Sequence, residues 1–152
     1  MGSQTITRTV AGTNTVYSKT SENKSTRYST VMLIDDNPLD IFVNQKLVES
    51  NGFAGKTLQF QEAKAGLEFL KNAPREEWPE VIFLDIMMPE MDGFEFIDAF
   101  DQLPQEQKMA IKVIMLSTSE SFKDLNRANK NPNVRKFLNK PLTPQTLHAI
   151  HV

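Results

Sequence analysis

VIFLDIMMPEMDG, running from Val81 to Gly93, decides the fold and poses the chemical question. Four apolar residues in a row, VIFL, are short enough for a strand and apolar on both faces, as in the middle of a parallel sheet covered by helices. Asp85 follows directly, and an acid flanked by apolar residues is costly unless it lies at the mouth of the sheet or is paired. The remaining IMMPEMDG reads as a loop, with Asp92-Gly93 as a turn that starts a helix.

The same alternation extends outward in both directions from residue 31. VMLID reads as a first strand, and Asp36-Asn37-Pro38 supplies a cap and a first-turn proline to a helix. In that helix Leu39, Val43 and Leu47 recur at helical spacing until Asn51-Gly52 stops it. TLQFQEA alternates weakly and belongs near a sheet edge. AKAGLEFLKNA reads as a second helix closed before Pro74, and GFEFIDAFDQL as a third stopped before Pro104. KVIMLS is a fourth strand, SFKDLNRANK a short fourth helix and VRKFLN a fifth strand. PQTLHAIHV starts a last helix that reads as cut short. Five βα units in this order describe an α/β protein, a parallel sheet wrapped by helices.

Ahead of this region, residues 1–29 are rich in Ser and Thr and poor in core-forming residues, which reads as a flexible tail. A rival reading is a short hairpin, with Thr5 to Val10 and Thr13 to Val16 alternating around Ala11-Gly12. Residues 30–152 form the one expected domain. The chain of 152 residues carries a net charge of −2 and has no basic stripe, so a nucleic-acid surface is not expected. No apolar run is long enough for a membrane span and no secretory signal is present, so the expected location is the cytosol. Cysteine is absent and the two histidines, His148 and His151, stand at the far end, so any metal must be held by oxygen.

Open parallel sheets gather their chemistry outside the carboxyl ends of the strands. The polar residues fall there: Asp35 and Asp36 after strand one, Asp85 after strand three, Ser117 and Thr118 after strand four, Lys140 after strand five. If strands one and three are neighbours, three carboxylates share one small space, and either a proton is retained or a divalent cation compensates. Mg²⁺, a hard cation that takes carboxylate oxygen, water and phosphate, suits this donor set. The methionines at 87, 88, 91 and 115 are packing or loop residues on this reading, not thioether ligands.

From residue 31 to the end, the chain resembles the receiver domain of two-component response regulators. LIDDN is similar to the family's acidic pair, LDIMMPEMDG to its phosphoacceptor loop, MLSTS to its switch hydroxyl and FLNKPLT to its lysine-proline signature. The resemblance implies a flavodoxin-like (βα)5 doubly wound sheet with strand order 2-1-3-4-5. It implies that Asp85 is the phosphoacceptor, with Ser117 and Lys140 assisting. Asp35, Asp36, Asp85 and the backbone carbonyl of Met87 would hold Mg²⁺, and Ser117 and Phe137 would form the switch. It further implies a sensor histidine kinase or phosphotransfer protein as donor; 152 residues describe one domain without room for a second output domain, so a downstream protein target reached in trans is expected. No reaction is expected beyond the protein's own phosphorylation and dephosphorylation. In the family the peptide before the signature proline is cis, and the positions occupied by Met87 and Ser119 influence water access to the phosphate.

Taken singly, the residues have ordinary readings: Asp36 as a helix cap, Lys140-Pro141 as an exposed loop, Ser117 as a strand end. A phosphohydrolase with an Asp85 nucleophile is a competing class, but haloacid-dehalogenase-like enzymes place a second acid where Met87 stands. A phosphorylation-independent interaction module is the third reading. One departure from the family pattern is the polar connection Asn129-Lys130-Asn131-Pro132-Asn133, which predicts a short fourth helix and an altered signalling face.

Overall fold

The computed structural model describes residues 25–118 and 122–152, excepting the side chain of residue 122. The hairpin considered for residues 5–16 and the position of Ser119 lie outside the described residues. Five parallel strands form one sheet in the order β2-β1-β3-β4-β5, the doubly wound order expected. β1 (Tyr28–Ile34), β3 (Val81–Asp85) and β4 (Lys112–Ser117) are interior; β2 (Ala54–Phe60) and β5 (Val134–Asn139) are the edges. The interior positions explain the near-continuous apolar runs, since both faces of these strands are covered. β1 and β2 begin earlier than the apolar patterns indicated, because the pairing of Tyr28 with Ala54 extends the ladder through polar residues. Tyr28 thus lies in the sheet, inside the segment read as tail.

Helices cover both faces. α1 (Pro38–Ser50) and α6 (Pro144–Ala149) pack with Val31, Leu33, Phe83 and Leu116, while α2 (Ala63–Asn72), α3 (Gly93–Phe100) and α5 (Phe122–Asn129) pack with Met32, Ile34, Leu84 and Met115. A further short helix, α4 (Gln105–Ala110), stands between α3 and β4 and was not anticipated. Pro104 is the N-cap residue of α4, its carbonyl accepting from the N–H groups of Gln107 and Lys108, and the buried Gln107 side chain donates to the Leu70 carbonyl at 2.7 Å. That tertiary bond, not local pattern, gives the segment its place.

The α1 reading is corrected by the structure. Ile41, Asn44 and Val48 face the core, whereas Leu39, Phe42 and Val43 are exposed. Apolar residues occur on all sides of this helix, so periodicity could not choose between two stripes. The cap is also reassigned: Asn37 accepts from the N–H groups of Leu39 and Asp40, leaving Asp36 free of that task. The connection after α5 is tied down, because Asn131 and Asn133 both donate to the Asp101 carboxylate at the end of α3. Polar side chains there replace apolar packing.

Glycine is required at one position of the opening stretch. A Cβ on Gly93 would stand 2.9 Å from both the Asp85 carbonyl oxygen and the Ile86 Cα, which are backbone atoms without room to yield. At Gly66 the equivalent contact is Cδ1 of Ile34, the end of a flexible side chain. Gly93→Ala is expected to destabilise the domain by about 1–3 kcal/mol through overpacking. Gly66→Ala, relieved by a rotamer change and aided by helix propensity of up to ~1 kcal/mol, should be close to neutral. Urea denaturation of the two variants checks the difference.

Candidate functional site

Parallel register brings the strand ends level. Ile34 pairs with Leu84, Asp85 with Leu116, and Ser117 with Asn139. Asp35, Asp85, Ser117 and Lys140 therefore emerge at one edge of the sheet. The Lys140 backbone N–H donates to the Ser117 carbonyl at 2.8 Å, and the Lys140–Pro141 peptide is cis, in keeping with the resemblance. From that anchor the Lys140 ammonium reaches Asp35 Oδ2 at 2.7 Å, Asp40 Oδ2 at 3.2 Å and Asp85 Oδ1 at 3.3 Å. Asp35, Asp85 and Ser117 are buried, and Asp36 is exposed at the rim.

The loop after Asp85 is shaped by backbone contacts. Ile86 donates to the Leu116 carbonyl, and Gly93 donates back to the Ile86 carbonyl at 2.9 Å, closing the loop onto the strand. Glu90 adopts φ 68°, a left-handed conformation that costs a non-glycine residue about 1 kcal/mol. A reciprocal capping box between Asp92 and Glu95 then starts α3. Met88 points into the core, while the Met87 side chain is 67% exposed beside the phosphoacceptor candidate. Phe137 lies opposite Met115 on β5, half-buried against the α2/α3/α5 core.

Charge is concentrated here. Burial pushes the Asp85 carboxyl up from 3.8 to about 6, and neighbouring Asp35 adds to this; Lys140 pulls the other way, and Asp36 again raises it. Lys140 is raised above its ordinary range: burial disfavours the ammonium, but the hydrogen bond and charge of Asp35, with Asp85 and Asp40, outweigh it. Carboxylate oxygens of Asp35, Asp36 and Asp85 lie within 4.8 Å of one another. An all-oxygen set of this kind, with an exposed member that capping does not consume, fits a hard divalent cation.

The family model for the response regulator receiver domain matches residues 31–151. The chain belongs to this family. Among curated proteins, this receiver domain is 31% identical over 119 residues to the probable methanogenesis regulatory protein FilR2 of Methanothrix harundinacea, covering 77% of this chain and 75% of that one. It is 30% identical to protein PilH of Pseudomonas aeruginosa, covering 77% and 89%. It spans 52% of the rice two-component response regulator ORR1 and 10% of hybrid signal transduction histidine kinase C of Dictyostelium discoideum. Among solved structures, a two-component response regulator from Cytophaga hutchinsonii superposes with a TM-score of 0.74 at 29% identity, covering 80% of this chain and 92% of that one.

One member of the receiver site escaped the sequence reading. Asp40, in the first turn of α1, contacts Lys140; its place in the turn directly after the acidic pair was the signal that it shares the same end of the sheet. Ser119 lies outside the described residues. Because Asp85 binds its proton more tightly in the folded state, it contributes least to folding above about pH 6, and stability is lost as pH rises from 3.8 towards that value. Asp85→Asn is therefore expected to stabilise the metal-free protein at pH 7 by about 1–2 kcal/mol. Thermal melts in chelator at pH 7 and pH 4 check this, with the gain confined to the higher pH.

Proposed function

We propose that this receiver domain takes a phosphoryl group onto Asp85. A carboxylate oxygen attacks phosphorus of a phosphohistidine on a sensor histidine kinase or phosphotransfer protein. The P–N bond breaks with its electron pair passing to the departing imidazole, and an aspartyl phosphate remains. The observation that carries this reading is the Asp85 carboxylate itself, buried at the sheet mouth yet 3.3 Å from the Lys140 ammonium and grouped with Asp35 and Asp36.

The residues divide the work by chemistry. Lys140 neutralises charge spread over the phosphoryl oxygens, and the Ser117 hydroxyl donates to one of them when its loop draws in. Asp35, Asp36, Asp85 and the Met87 carbonyl would hold Mg²⁺, which when bound offsets carboxylate and phosphoryl charge. The added charge of about −1.5 to −2 reorganises the loop after Ser117, and Phe137 follows through packing, having no phenol hydroxyl. Output passes in trans to a protein target, in the cytosol. The protein catalyses only its own phosphorylation and dephosphorylation. Exposed Leu39, Phe42 and Val43 on α1, the helix that begins beside Asp35 and Asp36, support a protein donor over a free metabolite.

Incubation with acetyl phosphate and Mg²⁺, followed by intact mass measurement, tests the assignment. Wild type is expected to gain the mass of one phosphoryl group and Asp85→Asn none; an equal gain in both would sink it. Turnover of many phosphate monoesters would instead point to a hydrolase. The apolar Met87 side chain at the mouth should slow attack by water. The phosphoryl group is therefore expected to persist for minutes or longer after donor removal, followed by mass or phosphate release, and Met87→Asn should shorten its lifetime.

A further inference from the structure

Resting on the phosphoacceptor reading, we infer that Asp40 is a positioning residue: it holds the Lys140 ammonium in the unphosphorylated state and releases it to the arriving phosphoryl oxygen. An ammonium has three N–H donors. Lys140 has three carboxylate oxygens within reach, from Asp35 at 2.7 Å, Asp40 at 3.2 Å and Asp85 at 3.3 Å. The set is full, so a phosphoryl oxygen that contacts Lys140 must displace one of them.

Burial decides which one yields. The side chains of Asp35 and Asp85 are 5% and 6% exposed, that of Asp40 40%. Separating Lys140 from Asp35 would break its shortest ion pair, at a buried carboxylate, a costly outcome. Asp85 carries the phosphoryl group and stays beside Lys140 through it. Asp40 is at the rim, where water takes over the vacated oxygen at little expense. Its backbone is held by the Asn37 cap, which accepts the Asp40 N–H at 3.3 Å, so the carboxylate remains close after Lys140 departs.

Two effects then act in the same direction. Asp40 stabilises the resting position of Lys140, and its charge opposes entry of a dianionic donor into a site already holding Asp35, Asp36 and Asp85. Removing that charge should favour the phosphorylated form. Both effects are electrostatic and partly exposed, so salt should weaken them.

The experiment measures the rate of phosphorylation of the full chain by acetyl phosphate with Mg²⁺, read by intact mass, for wild type, Asp40→Asn and Asp40→Glu. At low ionic strength Asp40→Asn is expected to react roughly three- to tenfold faster than wild type. The gap should close in about 0.5 M salt, where screening extends over only a few ångströms. Asp40→Glu, which restores the charge, should return most of the wild-type rate. An Asp40→Asn rate equal to or below wild type, or an acceleration unaffected by salt, overturns the inference while leaving Asp85 as phosphoacceptor. Absence of any mass gain in wild type overturns the phosphoacceptor reading and this inference with it.

Discussion

Two buried carboxylates, Asp35 and Asp85, stand at the ends of adjacent parallel strands, and the Lys140 ammonium touches both. That three-way contact is the constraint on which the rest of the structure turns. It requires β1 and β3 to be neighbours, so that two acids far apart in the chain meet. It requires β5 to be in register with β4, so that the loop carrying Lys140 comes back to the same end. The hydrogen bond from Lys140 to the Ser117 carbonyl joins these requirements, linking the cation's backbone to the strand beside Asp85. A sheet in which β1 and β3 were not neighbours, or β5 did not pair with β4, would leave one of these charges buried without compensation.

The site is built at a cost to stability. Asp85 is held where burial and Asp35 disfavour its charged form. Glu90 adopts a left-handed backbone, and Gly93 packs so closely that no side chain fits. These features lie within one stretch of thirteen residues and serve a single purpose, which is to place a carboxylate at the mouth of the sheet and turn the chain sharply away. The surrounding elements obey ordinary rules by comparison. Asn37 caps α1 in place of Asp36, the capping box of Asp92 and Glu95 starts α3, and the apolar interior strands carry the core.

Much of the architecture was legible because it depends on local patterns. The interior strands announced themselves as apolar runs, and proline, glycine and asparagine marked most helix ends. The candidate site was legible as four separated motifs whose chemistry makes sense only together. Less legible were features that depend on distant partners. The first residues of β1 and β2 form no apolar run and join the sheet through each other; α4 is placed by Gln107 bonding to Leu70; the core face of α1 was hidden by apolar residues on its opposite side.

By itself, then, the sequence determined the class of fold, the order of its elements and the residues able to bear charge chemistry, since these follow from periodicity, turn propensity and side-chain type. Only the tertiary structure decided which of those residues meet. It brought Asp40 to Lys140, assigned the cap to Asn37, turned Leu39, Phe42 and Val43 outward and tied Asn131 and Asn133 to Asp101. The physical reason is that contact between side chains is fixed by strand order and register, which are properties of the whole sheet and leave no mark within any single segment.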